Sequence, residues 1–219
     1  SNAYTVATYL SAAGLSSTTS SASTWLNSLN TFQDNKGVIT WALSNDSSHT
    51  EAHWLAGLPE LVKSRNDAWI TVGTVDISGS AGSETYTSVY SDCGSTAAYC
   101  LVTDSYNVNA ASYEDSLSSG IDTDGSSSNY YTAGGLTGNS LGAPMVAGLV
   151  TLLQEAFPDL TPAQITDRLL ATANNSLGVT NTSSTSFTNG VTHGYNSIYG
   201  HGIPDVYKAC LLYTSDAAD

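Results

Sequence analysis

Apolar positions follow a helical spacing in some segments of the chain and form short continuous runs in others. The first helical spacing lies before Gly37 and is carried by Trp25, Leu26, Leu29 and Phe32. Two runs, at 38–43 and 69–75, are rich in β-branched residues and have the length of buried parallel strands. A third short strand is predicted at 100–102. This alternation of helix and strand patterns predicts a layered α/β domain.

The second half of the chain contains the clearest helical pattern. It begins at Ser140, ends before Pro158, and has one apolar stripe formed by Val146, Leu149, Val150, Leu153 and Phe157. A long stretch rich in Ser, Asn and Asp at 103–130 predicts a surface loop or insertion, and a stretch rich in Ser, Thr and Asn at 174–190 predicts a linker loop.

Two further helices are predicted near the end of the chain. Thr161 and Gln164 have the spacing of a capping box around Pro162, which predicts a helix over 162–173. A short closing helix is predicted at 205–209.

The 219 residues fit one domain. The last ten, 210–219, resemble the translation of a sequencing adapter, so we expect the native domain to comprise residues 1–209.

The chain is acidic: 19 acidic residues against 5 basic ones give a net charge of −14. Nucleic acid is excluded as a partner, because phosphate binding needs clustered Lys and Arg. No apolar run approaches the roughly 20 residues that a membrane-spanning helix needs. This composition suits a protein that is secreted or lies at the cell surface, and we expect a bacterial source.

Cys93 and Cys100 lie seven residues apart and remain as a pair once Cys210 is set aside with the adapter-like tail. They suggest a local disulfide and an oxidising compartment. Two buried free thiols in a cytosolic protein are the alternative, because spacing alone does not establish disulfide geometry.

Ser140 lies between two glycines where the chain turns into a helix. A hydroxyl there faces the positive end of the helix dipole and unpaired backbone N–H groups, which favour developing negative charge. A serine that only caps a helix is the alternative for an isolated pattern of this kind.

The surrounding residues are Gly138-Asn139-Ser140-Leu141-Gly142-Ala143-Pro144-Met145-Val146-Ala147-Gly148. They resemble the nucleophile motif G-T-S-x-A-x-P-x-V-x-G of the subtilisin-like serine proteases, in which Asn139 replaces Thr and Gly142 replaces Ala. The resemblance implies a three-layer α/β fold with a mostly parallel sheet. It also implies a serine endopeptidase that hydrolyses polypeptide substrates through an acyl-enzyme, with Ser140 as nucleophile.

A second block, ending in Ala42-Leu43-Ser44-Asn45, resembles the family's strand ending in A-x-G-N. By this resemblance Asn45 is the candidate oxyanion donor, and Ala42, Leu43 and Ser44 are candidates for the wall of the S1 pocket. Ser44 replaces the family's glycine. Without the resemblance, an ordinary turn would be predicted at Asn45.

Further blocks follow in the family's order, so the resemblance covers about residues 25 to 209. Residues 68–76 resemble the strand V-I-A-V-G-A-V-D, and residues 199–209 resemble the end of the catalytic domain. The region around Cys93 and Cys100 looks like the cysteine-containing version found in secreted autotransporter-type subtilases.

The family's catalytic Asp and His motifs have no counterpart in this chain. The His motif precedes the oxyanion Asn in the family, but the 44 residues before Asn45 contain no histidine. We therefore expect an N-terminally truncated catalytic domain that is inactive by itself.

Two other functions fit part of the pattern. Residues 138–142 also satisfy G-x-S-x-G, the nucleophile elbow of α/β-hydrolase esterases, for which Asp167 or Asp205 with His193 or His201 would complete a triad. A non-catalytic surface module of subtilase fold is the other alternative. Sedolisins carry Asp at the oxyanion position, so Asn45 argues against them.

No cofactor is assigned from the sequence. His49 and His53 stand at i, i+4 but have no third ligand with a catalytic Glu, so no metal site is predicted there. Calcium is possible at 122–125, where the spacing Asp-Thr-Asp-Gly is a fragment of a calcium loop, although a solvated loop explains it as well.

Overall fold

The computed structural model describes residues 20–53, 55–61, 67–112, 131–188 and 190–212. A short 3₁₀ helix covers Gly94–Tyr99. The helices and strands of the described chain are α1 (Ser20–Asp34), β1 (Ile39–Ala42), α2 (Leu58–Leu61), β2 (Trp69–Ser78), β3 (Thr85–Ser88), β4 (Cys100–Thr103), β5 (Val108–Ser112), β6 (Tyr131–Leu136), α3 (Asn139–Ala156), α4 (Pro162–Thr172), β7 (Ser183–Ser186), β8 (Thr192–Tyr195) and α5 (Val206–Leu211).

Strand β2 is the centre of the main sheet. Its first half pairs in parallel with β1 on one side and β4 on the other, so that Thr71 lies opposite both Trp41 and Cys100. Its second half pairs with β3 in antiparallel orientation. The parallel core of the sheet agrees with the sequence-based prediction of a mostly parallel α/β fold.

The two faces of this sheet are covered by different parts of the chain. Along β4, Leu101 belongs to one buried cluster, whereas Cys100 and Val102 belong to another. Because successive side chains of a strand point to opposite faces, the two clusters lie on opposite sides of the sheet. The first cluster is covered by α3 through Ala143, Val146, Val150 and Leu153.

In the part of the chain that the structure describes, the second cluster is covered by loops and by the 3₁₀ helix. Leu43, Val75, Cys93, Leu177 and Tyr199 pack into it together with Cys100 and Val102. Helix, sheet and loop layer therefore form the three layers, and α3 is the element that lies directly on the parallel strands.

The predicted helices are present with small changes of bounds. Thr161 caps α4 with the predicted capping box to Gln164. Helix α5 continues past the predicted domain end at Ala209, and Cys210 packs partly against the first cluster. That residues 210–219 are foreign to the domain stays a prediction.

Two stretches predicted to be loops contain strands instead. Strand β5 lies within 103–130 and pairs with β6, and β7 lies within 174–190 and pairs with β8. The prediction was wrong because antiparallel pairing needs only backbone groups, and the side chains of β7 are mostly exposed. An apolar pattern therefore does not mark this strand.

Cys93 and Cys100 form a disulfide with a Cα–Cα distance of 6.0 Å. Both residues are fully buried in the second cluster, so the bond links the start of the 3₁₀ helix to the start of β4. Cys210 is free and partly exposed.

The disulfide should stabilise the fold measurably. Replacing both residues in Cys93→Ala/Cys100→Ala should cost about 2 kcal/mol of unfolding free energy, because the unfolded chain regains the freedom that the cross-link removes. Thermal unfolding monitored by circular dichroism should show the fall in Tm, and Cys210→Ala is the matched control. Equal Tm values for the double variant and the parent chain would contradict this role.

Candidate active site

Ser140 occupies the first turn of α3. Gly138 is the N-cap residue, Asn139 begins the helix, and Ser140 is exposed while Asn139 and Gly142 on either side of it are buried. The helix start therefore turns the serine hydroxyl toward solvent while its neighbours face the protein. A hydroxyl at this position is accessible and lies at the positive end of the helix dipole.

Asn45 follows β1 and contacts the same helix start. The backbone N–H of Asn139 donates to Asn45 Oδ1 at 2.9 Å. This bond engages the oxygen of the Asn45 amide, so the amide nitrogen Nδ2 points the other way.

Gly138 is where Asn45 and Ser140 meet. A methyl group placed on Gly138 would lie 3.3 Å from Asn45 Nδ2 and 3.2 Å from Ser140 Oγ. The candidate oxyanion donor and the candidate nucleophile thus border the same small space, which a side chain at position 138 would fill.

The residues predicted to line the S1 pocket have different environments. Leu43 is 5% exposed and packs into the second cluster, and Ala42 packs against the first. Ser44 is partly exposed, and its carbonyl accepts hydrogen bonds from Asn139 Nδ2 at 2.8 Å and from Ser91 N at 3.3 Å. The Leu43 side chain is therefore part of the core.

The chain after Asn45 forms a tight polar turn. Asp46 Oδ1 accepts from the backbone N–H and the hydroxyl of Ser48, at 2.9 and 2.7 Å, and these bonds lower the pKa of Asp46. His49 Nε2 lies 3.2 Å from Asp46 Oδ2. The turn fixes the backbone that follows the candidate oxyanion donor.

Gly142 lies over a small group of buried hydroxyls. Thr74 Oγ1 and Ser105 Oγ are hydrogen-bonded at 2.7 Å, and Thr103 Oγ1 is buried without a hydrogen-bond partner in the described part of the chain. A Cβ atom on Gly142 would collide with Thr103 Oγ1 and approach Ser105 Oγ to 3.2 Å. The glycine lets the first turn of α3 approach β4 closely.

His193 and His201, the histidines considered for an esterase triad, contact each other instead of Ser140 in the described hydrogen bonds. Their Nδ1 atoms lie 2.9 Å apart, while His193 Nε2 donates to Ala173 O at 2.9 Å and His201 Nε2 donates to Ala98 O at 3.1 Å. His201 is fully buried.

The surroundings of His193 and His201 disfavour a positive charge on either ring. The short Nδ1–Nδ1 contact has room for at most one proton, and burial together with His193 lowers the pKa of His201 to about 4. Burial also lowers the pKa of His193. A triad base must exchange protons with a serine, and these ring nitrogens are engaged elsewhere.

The carboxylates of the esterase hypothesis are likewise in other contacts. Asp167 accepts a hydrogen bond from Thr188 Oγ1 at 3.1 Å, and Asp205 caps α5 by accepting from Lys208 N at 2.9 Å.

Within the described residues, no group of three or more His, Cys, Asp and Glu side chains could hold a metal ion. His49 contacts Asp46, and His53 Nδ1 accepts from Leu55 N at 3.3 Å. The possible calcium loop at 122–125 lies outside the described residues. Among the described helices, none has both the length and the apolar character to cross a membrane.

The model of the subtilase family, Peptidase S8, matches residues 6–202. The chain belongs to the subtilase family.

Curated relatives of this subtilase match a short segment. Mycosin-1 from Mycolicibacterium smegmatis and mycosin-1 from Mycobacterium tuberculosis are each 55% identical over 38 residues, which is 17% of this chain and 8% of the relative. The chain thus covers less than a tenth of either relative.

Solved structures share the fold of this subtilase over most of its length. Fervidolysin from Fervidobacterium pennivorans, a keratinolytic enzyme related to subtilisin, aligns with a TM-score of 0.54 and 20% identity, covering 81% of this chain and 23% of that one. The prenylagaramide maturation protease PagA aligns with a TM-score of 0.52 and 19% identity, covering 85% and 54%. At these identities the likeness establishes the fold.

Two residues of the site were not recognised from the sequence. From the sequence Asn139 is only a departure from the family motif, whereas in the structure it bonds both Ser44 and Asn45. Thr103 was placed in a loop, although its hydroxyl determines which residue fits at position 142. For Asn139 the departure itself was the available signal, whereas the contact of Thr103 is visible only in three dimensions.

Because α3 approaches β4 closely at Gly142, we predict that alanine, the family's usual residue at this position, lowers the stability of this chain. Gly142→Ala should destabilise this chain by about 1–3 kcal/mol, because the added methyl group collides with Thr103. Urea unfolding should detect the loss. In the double variant Gly142→Ala/Thr103→Ala, the added methyl group no longer meets the Thr103 hydroxyl. The double variant should therefore be at least about 1 kcal/mol more stable than the sum of the two single effects predicts.

A matched control for that substitution lies on the same helix. Apart from its chain neighbours and its own helix backbone, no atom of the described residues lies within 4 Å of a Cβ built on Gly148, so Gly148→Ala should stabilise the helix by up to about 1 kcal/mol. If Gly142→Ala behaves like Gly148→Ala, the predicted collision is wrong.

The histidine pair predicts a pH-dependent stability. Because the pKa of His201 is lowered from 6.5 to about 4, the unfolded chain binds more protons than the folded chain between these values. The contribution of His201 is therefore present above pH 6.5 and is lost as the pH falls toward 4. Urea unfolding at several pH values gives the free energy of unfolding as a function of pH. This free energy should change less with pH in His201→Gln than in the parent chain.

Thr185 Oγ1 lies 3.4 Å from His201 Nε2, which makes Thr185→Val a suitable control. It removes a neighbouring hydroxyl but no titrating group, so it should shift the stability by a similar amount at each pH. An unchanged pH slope in His201→Gln would contradict the assignment.

Proposed function

We propose that this chain is the nucleophile-bearing part of a serine endopeptidase that hydrolyses peptide bonds through an acyl-enzyme. The observation that carries the proposal is the shared space beside Gly138, bordered by the exposed Ser140 hydroxyl and by Asn45 Nδ2. Family membership supports polypeptides as substrates.

In the proposed reaction, Ser140 Oγ attacks the carbonyl carbon of the scissile peptide bond. Its proton passes to a general base and then to the leaving amine, while the carbonyl oxygen becomes an oxyanion. Asn45 Nδ2 and the N–H of Ser140 stabilise this oxyanion by hydrogen bonds. Water then hydrolyses the acyl-enzyme and restores the serine.

We assign the general base and its carboxylate to a part of the protease outside these 219 residues. His193 and His201 contact each other through their Nδ1 atoms and donate from Nε2 to backbone carbonyls, which supports this assignment. His49 pairs with Asp46. The same contacts weigh against the esterase alternative, because that mechanism needs His193 or His201 at Ser140.

The S1 wall is proposed to consist of the backbone of residues 42–44. This is supported by the burial of the Leu43 side chain, which leaves main-chain atoms and Ser44 to face a substrate. The disulfide supports a secreted or cell-surface location, because such bonds persist in oxidising compartments.

The proposal predicts different behaviour for the chain alone and for a chimera that adds the Asp- and His-bearing part of a subtilase before it. The chain alone should show no peptide turnover and no labelling of Ser140 by a fluorophosphonate, measured by mass spectrometry. The chimera should be labelled and active. In the chimera Ser140→Ala should abolish labelling, and Asn45→Ala should lower kcat by about a hundred- to a thousandfold.

Other outcomes distinguish the alternatives. Ester turnover by the chain alone that is lost in His193→Ala or His201→Ala would favour the esterase. Labelling that persists in both variants would show that a base lies within the chain. A folded chimera that is neither labelled nor active would favour a non-catalytic module.

A further inference from the structure

Asn139 connects the helix that carries Ser140 to the loop that carries Asn45. Its backbone N–H donates to Asn45 Oδ1 at 2.9 Å, and its side-chain Nδ2 donates to the carbonyl of Ser44 at 2.8 Å. Asn139 thus forms hydrogen bonds to two successive residues, Ser44 and Asn45, in the loop that follows β1. The partners lie 94 and 95 positions away in sequence.

The first of these bonds constrains the side chain of Asn45, and the second constrains the peptide group that precedes Asn45. The backbone bond fixes the rotation of the Asn45 amide, and any residue except proline at position 139 has the N–H to form it. The side-chain bond holds the carbonyl of Ser44, which belongs to the peptide group that joins Ser44 to Asn45. Only a side chain with a donor of suitable reach provides this second constraint.

The identity of residue 139 therefore matters for the second bond. A threonine, the family's usual residue here, carries its hydroxyl directly on Cβ, whereas Asn139 Nδ2 is one bond further out. A threonine hydroxyl at position 139 therefore has a shorter reach from the backbone than the Asn139 amide. The departure from the motif coincides with a contact that is made by the longer side chain.

The burial of Asn139 carries a cost in stability. The residue is fully buried, and its Oδ1 atom lacks a hydrogen-bond partner among the described residues. An unsatisfied buried acceptor costs about 1–3 kcal/mol. A side chain selected for packing alone would avoid that cost.

We propose that Asn139 is a positioning residue that sets the orientation of Asn45 toward the oxyanion site beside Ser140. The inference rests on the proposed function for the meaning of that site. The geometry itself is independent of catalysis, since it concerns how the Ser44–Asn45 peptide and the Asn45 amide are held.

The test is a structural one on the 219-residue chain. The amide hydrogens of Ser91 and Asp46 report on the loop, because Ser91 N donates to Ser44 O and Asp46 N donates to Ser44 Oγ. In Asn139→Thr, exchange of these two hydrogens should become about tenfold faster, as expected for one lost hydrogen bond. The side-chain amide signals of Asn45 should also move in ¹H–¹⁵N NMR spectra.

Asn175 provides a matched control, because its Nδ2 donates to the Gly194 carbonyl at 2.9 Å, away from Ser44 and Asn45. Asn175→Thr removes the same type of bond and should leave the Asn45, Asp46 and Ser91 signals unchanged. Asn139→Asp is a second variant, since a carboxylate has the same shape but cannot donate to Ser44 O.

Each outcome decides the inference separately from the function. If Asn139→Thr lowers the Tm but leaves the signals and exchange rates of the loop unchanged, the residue is merely structural and the inference is overturned. If the loop signals change while the active chimera loses kcat without a change in KM, the positioning role is supported. If the loop changes but no chimera is active, the positioning stands and the protease proposal fails.

Discussion

The candidate site depends on the contact between the first turn of α3 and the end of β1. The hydrogen bond from Asn139 N to Asn45 Oδ1 joins two segments that are 94 positions apart in sequence. It simultaneously places Ser140 on the helix and Asn45 on the loop against the same glycine, Gly138. A displacement of the helix start would therefore move Ser140 relative to Asn45 and disturb the geometry proposed for the site.

The hydrophobic core between α3 and the sheet stabilises this contact between the first turn of α3 and the end of β1. Val146, Val150 and Leu153 of α3 pack on the face of the sheet that also presents Ile70 and Leu101. Because these side chains are buried and the strands are paired in parallel, the helix cannot slide without creating cavities. The candidate site is thus built from the first turn of α3 and the loop after β1, both held by the packed helix and sheet, an arrangement that favours precise positioning of side chains.

The sequence was sufficient to predict the elements that this support requires. The apolar stripe of α3 and the capping box of α4 are local patterns, and local patterns report secondary structure directly. Strand β7 was missed because its pairing satisfies the backbone without apolar side chains, and β5 because its few apolar residues, such as Val108 and Ala110, lie in a stretch dominated by Ser, Asn and Asp. Ser140 and Asn45 were recognised by their family motifs, whereas their shared boundary at Gly138 depends on the packing of distant segments.

Both departures from the nucleophile motif have partners elsewhere in the chain. Gly142 accommodates the hydroxyl of Thr103, and the amide of Asn139 reaches the carbonyl of Ser44. Each exchange therefore alters a contact without removing Ser140 or Asn45 from the site. A comparison of motif letters counts each such change as a mismatch. The effect of the change on stability, however, depends on both residues of the contact that it alters. The position of Ser140, the candidate nucleophile, is consequently set by this chain's own contacts, while the reactivity proposed for it is a separate property that depends on a general base.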